Sequence, residues 1–184
     1  MSSLKIPALG YALLGLLQMK PASGYDLRKI FSSSSMKTYS DSPGAIYPAL
    51  NRLSKQGLIR GTVEQGARLR RREVFRLTPK GLSELKNWIT RPITVNDLVR
   101  GQQEIMLRFA FSETSAGRAT TLQLLKSLEA ALQAHLPTLH HEFEALKTNA
   151  PTSGRLAFEC GIRGYESLMK WAQYAIATYE ASRK

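Results

Sequence analysis

Cysteine is nearly absent from this chain: Cys160 is the one thiol in 184 residues. A single cysteine excludes an intramolecular disulfide and fits a reducing compartment. No Cys pair or Cys/His cluster of zinc spacing exists. His140 and Glu144 would stand one helical turn apart, but two ligands do not complete a metal site, so no metal is expected. Long apolar runs are missing as well. The longest, Ile6 to Met19, is too short to span a bilayer and contains Pro7, Gly10 and Gly15. Lys5 ahead of it imitates a signal peptide, yet Lys20-Pro21 follows where a small-residue cleavage site belongs. The stretch therefore reads as a buried helix and the protein as cytoplasmic, without a membrane partner. Nor does any G-x-G-x-x-G, P-loop, G-x-S-x-G or H-E-x-x-H pattern occur. The expectation is no enzyme, no catalytic residues and no cofactor.

Acidic residues are the other shortage. Fourteen Asp and Glu stand against 26 Lys and Arg, giving a net charge of +12. With 43% hydrophobic and 22% charged residues, the chain is otherwise that of an ordinary globular protein. A positive field of this size attracts polyanions, nucleic acid before an anionic membrane surface. The imbalance is local. Residues 1–92 carry 16 basic and 5 acidic side chains, whereas residues 93–184 carry 10 and 9. Two domains follow, 1–92 in contact with the polyanion and 93–184 with another task.

The first half reads as three helices, a hairpin and a fourth helix. Leu9, Leu13, Leu16 and Leu17 recur at helical spacing before Lys20-Pro21 stops them. Ser23 can cap a second helix with Leu27, Ile30 and Phe31 inward. Ser42-Pro43 starts a third, lined by Ile46, Leu50 and Leu53 and stopped by Gly57, with Pro48 straining its first turn. Period two then takes over at Ile59 and Val63, Gln65-Gly66 can turn the chain, and Phe75 and Leu77 share a face of the returning strand. Thr78-Pro79 opens a helix with Leu82, Leu85 and Ile89 inward. This order is that of a winged helix-turn-helix with a two-stranded wing.

The second half reads as helical throughout, so the fold class is mainly α. One stripe is Val95, Leu98, Gln102, Ile105 and Phe109. Another runs from Leu122 to Leu146 at about 3.4 residues per step, near the coiled-coil repeat, with Pro137 placed to kink it. A third takes in Phe158, Ile162, Tyr165, Leu168, Ala172, Ala175 and Tyr179 after a hinge at Pro151 to Gly154. Long amphipathic helices make a poor independent core and complete one with a partner; a symmetric homodimer is the common solution. Cys160 falls on this last helix and reads as a buried, inert thiol.

Two groups of residues carry chemistry. With Ile46, Leu50 and Leu53 inward, Tyr47, Asn51 and Lys55 share the outer side of the third helix, with Arg52 beside them. Asn pairs bidentately with adenine and Arg with guanine, while Tyr and Lys reach phosphate or a thymine methyl. Ser42 and the backbone near Gly44 can receive a phosphate at the helix start. On the hairpin, Arg68, Arg70, Arg71 and Arg72 lie within five residues, a density that folding does not need and a phosphate ladder or narrow minor groove does. Alternation puts Arg70 and Arg72 on one face and Arg71 on the other. A solvated polar face and a solubility patch are the bland alternatives.

The chain resembles the PadR-like transcriptional regulators nearly end to end. The resemblance rests on LGYALLGLL (Leu9 to Leu17), SGYDLRKIF (Ser23 to Phe31), SPGAIYPALNRLSKQGLI (Ser42 to Ile59) and VFRLTPKG (Val74 to Gly81). It implies an N-terminal winged helix-turn-helix that binds double-stranded operator DNA and a helical C-terminal domain that dimerises. Trp171 fits the longer-tailed, virulence-activator-like subgroup. Tyr47 looks like the family tyrosine of the recognition helix, with Asn51, Arg52 and Lys55 on its solvent side, Arg68 and Arg70 at the wing tip, and Tyr25 opening the second helix. Glu73 departs from the pattern, standing where a basic residue is common. The expected function is a homodimeric, sequence-specific regulator, a repressor, on an inverted repeat; a small-molecule effector is left unidentified. An RNA- or ribosome-associated module and a helical interaction protein that binds no nucleic acid are the rivals.

Overall fold

The computed structural model describes residues 6–39, 42–65 and 71–181. The chain divides into two compact units, residues 1–89 and 90–184. The boundary falls just ahead of Pro92 because Arg91 and Ile93 are tied into the second unit. Arg91 pairs with Asp97 at 3.2 Å, and the Ile93 N–H donates to Ser127 Oγ at 3.0 Å.

The first unit contains α1 (Ala8–Met19), β1 (Ala22–Ser23), α2 (Gly24–Ser33), a 3₁₀ turn (Ser35–Thr38), α3 (Pro43–Lys55), β2 (Ile59–Gln65), β3 (Arg71–Leu77) and α4 (Pro79–Thr90). Helix α1 is buried from Gly10 through Leu17, as befits a helix apolar on all sides. Its Leu13 and Leu14 are solvent-free, as are Leu27, Phe31, Ile46, Leu50, Leu58, Leu85 and Ile89 around it. Each such side chain contributes about 1.5–3 kcal/mol of transfer free energy. Leu82 is only half-buried; Trp88 takes the inward place instead, stacked on Tyr11 at 4.1 Å.

The sheet has three strands in the order β1-β3-β2, both pairings antiparallel. The sequence predicts two. Strand β1 joins Ala22 to Phe75 and Ser23 to Val74, and two residues are too few to show a period. On β2 the alternation fades towards the wing: Ile59 is buried and Val63 is 70% exposed, and β1 ends at Val74, the partner of Thr62, without reaching further along the wing. The turn expected at Gln65-Gly66 runs into residues outside those described.

The second unit holds α5 (Val95–Arg100), α6 (Gln102–Ala116), α7 (Arg118–Leu146) and α8 (Thr152–Ala181). The stripe Val95 to Phe109 is not one helix. Gly101 adopts φ +142°, a conformation that side chains disfavour, and breaks it into α5 and α6. Helix α7 runs unbroken through Pro137, and α8 already includes Gly154, so the hinge is shorter than predicted. The long helices form an antiparallel hairpin. Lys126 meets Glu180, Gln173 meets Glu129, His135 meets Tyr165, and Phe143 stacks on Phe158. Leu124, Leu128, Leu132, Leu168 and Ala172 form its core with Ile93, Leu98 and Ile105. Beyond Leu132 burial declines, and Leu146 is exposed. Cys160 is exposed, not buried: Phe158 and Ile162 turn inward and leave the residue between them on the outer side. Among the described residues no helix is long and apolar enough to cross a membrane.

Candidate nucleic-acid interface

Helix α3 starts where Ser42 Oγ accepts the Gly44 N–H at 3.2 Å, with Pro43 as the first helical residue. Ser42 and Gly44 are both exposed at this end. The helix passes through Pro48, which has no N–H to offer the Gly44 carbonyl. It ends in a left-handed corner: Gly57 has φ +71°, its N–H donates to Ser54 O at 2.9 Å, and the Leu58 N–H donates to Leu53 O at 2.9 Å.

Ile46, Ala49, Leu50 and Leu53 are buried beneath this helix, and Tyr47, Asn51, Arg52 and Lys55 are exposed above it. Six predicted residues, Ser42, Gly44, Tyr47, Asn51, Arg52 and Lys55, thus lie on α3 or at its N-cap, all of them exposed. Tyr47 is 48% exposed, and its ring rests on Gly24 at the start of α2. A Cβ at Gly24 would stand 2.5 Å from Tyr47 Cε1. Gly24 is a contributor the sequence reading missed; only the motif SGYDL marks it. On the outer side of α2, Tyr25, Arg28, Lys29 and Ser32 line a shallow hollow of about 170 Å³.

The wing is partly in view. Arg68 and Arg70 lie outside the described residues. Arg71 and Arg72 are exposed at the start of β3. Arg72 does not stand alone: its guanidinium is 3.7 Å from Asp26 Oδ2 on α2. Asp26 is the second contributor that was missed, and Ser23-x-x-Asp26 as a capping box was its signal. Ser23 Oγ donates to Asp26 Oδ2 at 2.7 Å and its N–H at 3.1 Å, while the Asp26 N–H donates back to Ser23 Oγ at 3.2 Å. These bonds, the hydroxyl's first, hold the Asp26 carboxyl below its ordinary value against the opposing pull of burial. Glu73 is exposed and lies opposite Val63; Arg76 pairs with Glu64 at 2.9 Å.

In the helical unit, Trp171 packs edge-on against Phe109 at 5.1 Å. Like Trp88, it serves packing. Arg108 is 1% exposed, and burial, then Arg91, pushes its guanidinium down to about 10 against the pull of Asp97 and Glu104. His140 sits 3.3 Å from Glu166 across the hairpin. No group of three or more potential metal ligands exists among the described residues.

The model of the transcriptional regulator PadR-like family matches residues 13–87. The negative transcriptional regulator PadR of Bacillus subtilis is 32% identical over 143 residues, 77% of this chain and 76% of that protein. Among solved structures, that of Bacillus subtilis PadR in complex with operator DNA is 24% identical. The match covers 94% of this chain and 99% of that one, with a TM-score of 0.46. The PadR-like regulator BC1756 from Bacillus cereus is 22% identical over 95% of this chain and 99% of its own, with a TM-score of 0.42.

Proposed function

The chain belongs to the PadR-like family of transcriptional regulators, and from that premise we propose that it represses transcription as a homodimer bound to an inverted-repeat DNA operator. The observation that carries this reading is the outer side of α3. Tyr47, Asn51, Arg52 and Lys55 stand exposed on a helix whose opposite side is sealed in the core. A helix of this width fits the major groove. There Asn51 and Arg52 read base edges, Tyr47 and Lys55 reach methyl or phosphate, and Ser42 and Gly44 meet a phosphate at the helix start. Arg68 and Arg70 of the wing add sequence-independent phosphate contacts. Two α3 helices related by a two-fold axis enter successive major grooves about one helical turn apart. The helical unit supplies the dimer contact. Its long hairpin leaves Leu139, Phe143 and Leu146 incompletely covered. A DNA partner implies the cytoplasm, and the protein works without catalysis.

The test is a mobility-shift titration against genomic fragments with competitor DNA, beside light scattering of the free protein. Retention of particular fragments by a dimer is expected. A Y47A/N51A double variant should lose that selectivity, each base contact being worth about 1–3 kcal/mol, while keeping its thermal midpoint. Uniform binding to every fragment, preference for RNA, or a monomer would overturn the reading. Unfolding of the double variant would show these side chains to be part of the core.

A further inference from the structure

The one acidic side chain of α2, Asp26, lies against Arg72 of the wing. Asp26 closes the capping box of α2, and the same Oδ2 that receives Ser23 lies 3.7 Å from Arg72 NH1. The backbones that carry the two are fixed relative to each other, because Ser23 pairs with Val74 in the β1–β3 ladder. Both side chains are about half exposed, 54% for Arg72 and 43% for Asp26. Exposed ion pairs contribute little to stability, so the fold does not depend on this one. It alters something else: the number of cations the wing offers to a polyanion.

Resting on the DNA-binding reading above, we propose that Asp26 determines specificity by occupying Arg72 and withholding that cation from non-specific phosphate contact. Each phosphate neutralised by a protein cation adds affinity for any sequence and steepens the salt dependence by about 0.9 in log–log slope. The base contacts assigned to α3 are not involved. An acid that engages one arginine therefore lowers binding to the wrong DNA and leaves base readout intact, which is discrimination by subtraction. The Ser23 bonds favour the ionised carboxylate, so the pair is present at neutral pH.

The experiment titrates a random-sequence duplex pool with the full-length wild type, D26N, R72Q and the double variant, between about 50 and 200 mM salt. Asn keeps an acceptor for Ser23, and helical circular dichroism checks that D26N is folded. D26N is expected to steepen the slope by about 0.9, an extra loss of about 3.5-fold across that salt range. R72Q should keep the wild-type slope, and the double variant should match R72Q. The proposal is overturned if D26N strengthens binding equally in the R72Q background, since Asp26 then repels DNA on its own. A slope flattened by about 0.9 in R72Q alone also overturns it, because Arg72 then already neutralises a phosphate. That arm leaves the cap untouched and can overturn the proposal even if D26N fails to fold. A wild type that binds no duplex removes the DNA-binding reading itself, and the proposal with it, an outcome distinct from binding with the wrong slopes.

Discussion

The ring of Tyr47 on α3 rests on Gly24 at the first position of α2, so closely that no side chain fits between them. Tyr47 faces outward because Ile46, Leu50 and Leu53 face inward, and this contact fixes where its ring lies. It also ties the direction of a proposed DNA-reading side chain to the start of the neighbouring helix.

Replacing Gly24 with Ala should therefore act on binding and hardly on folding. The added methyl would meet an exposed ring that can swing away, and Ala is the better helix former by up to about 1 kcal/mol. The expected result is a thermal midpoint within a few degrees of wild type and specific DNA binding weakened about tenfold, the equivalent of about 1.4 kcal/mol. Unchanged binding in G24A would show that the orientation of Tyr47 is of no consequence for recognition.

Gly81 should behave in the opposite way. A Cβ there would run into the backbone carbonyl of Leu58, and backbone cannot swing aside. Gly81→Ala is expected to cost about 3 kcal/mol, at the upper end of overpacking, and to lower the midpoint of the first unit by more than about 10 °C. Calorimetry of the full chain would measure it, and an unaltered midpoint would contradict the close approach.

The acid limb of stability should carry the mark of Asp97. Burial pushes its carboxyl up, but the Thr94 hydroxyl, the Thr94 N–H and Arg91 together bring it below its ordinary 3.8. A carboxylate depressed in the folded state stabilises the protein fully above its unfolded value. That contribution is lost as pH falls through the depressed one. Asp97→Asn should thus be less stable than wild type by about 1 kcal/mol at neutral pH, and the gap should close towards pH 2. Thermal midpoints across that range decide it; a constant gap would mean that the charge contributes nothing.

Much of α3 was legible because its signals are local. Ser42-Pro43 states the cap and the first turn, Ile46, Leu50 and Leu53 state the face, and Gly57 states the stop. Ser23 and Thr78 were readable for the same reason; the Thr78 hydroxyl accepts the Gly81 N–H at 3.0 Å. What escaped depends on partners distant in sequence. Strand β1 exists only because β3 lies beside it, and Gly24 matters only because of Tyr47. The break at Gly101 was hidden because apolar spacing continues across it from Leu98 to Ile105. Cys160 is exposed because its spacing from Phe158 and Ile162 turns it outward, a detail that the apolar character of the last helix as a whole conceals.

The corner that ends α3 has a mechanical consequence. At Gly57 and Leu58 the chain is held by the residues that follow β3. Thr78 gives its hydroxyl proton to the Gly57 carbonyl and its N–H to the Leu58 carbonyl, and Lys80 reaches back to Gln56 O. Helix, ribbon and the following helix therefore share a single clamp. Any force applied to α4 is transmitted to the end of α3 without slack, and amide protons on either side of the clamp should exchange with solvent in one concerted opening.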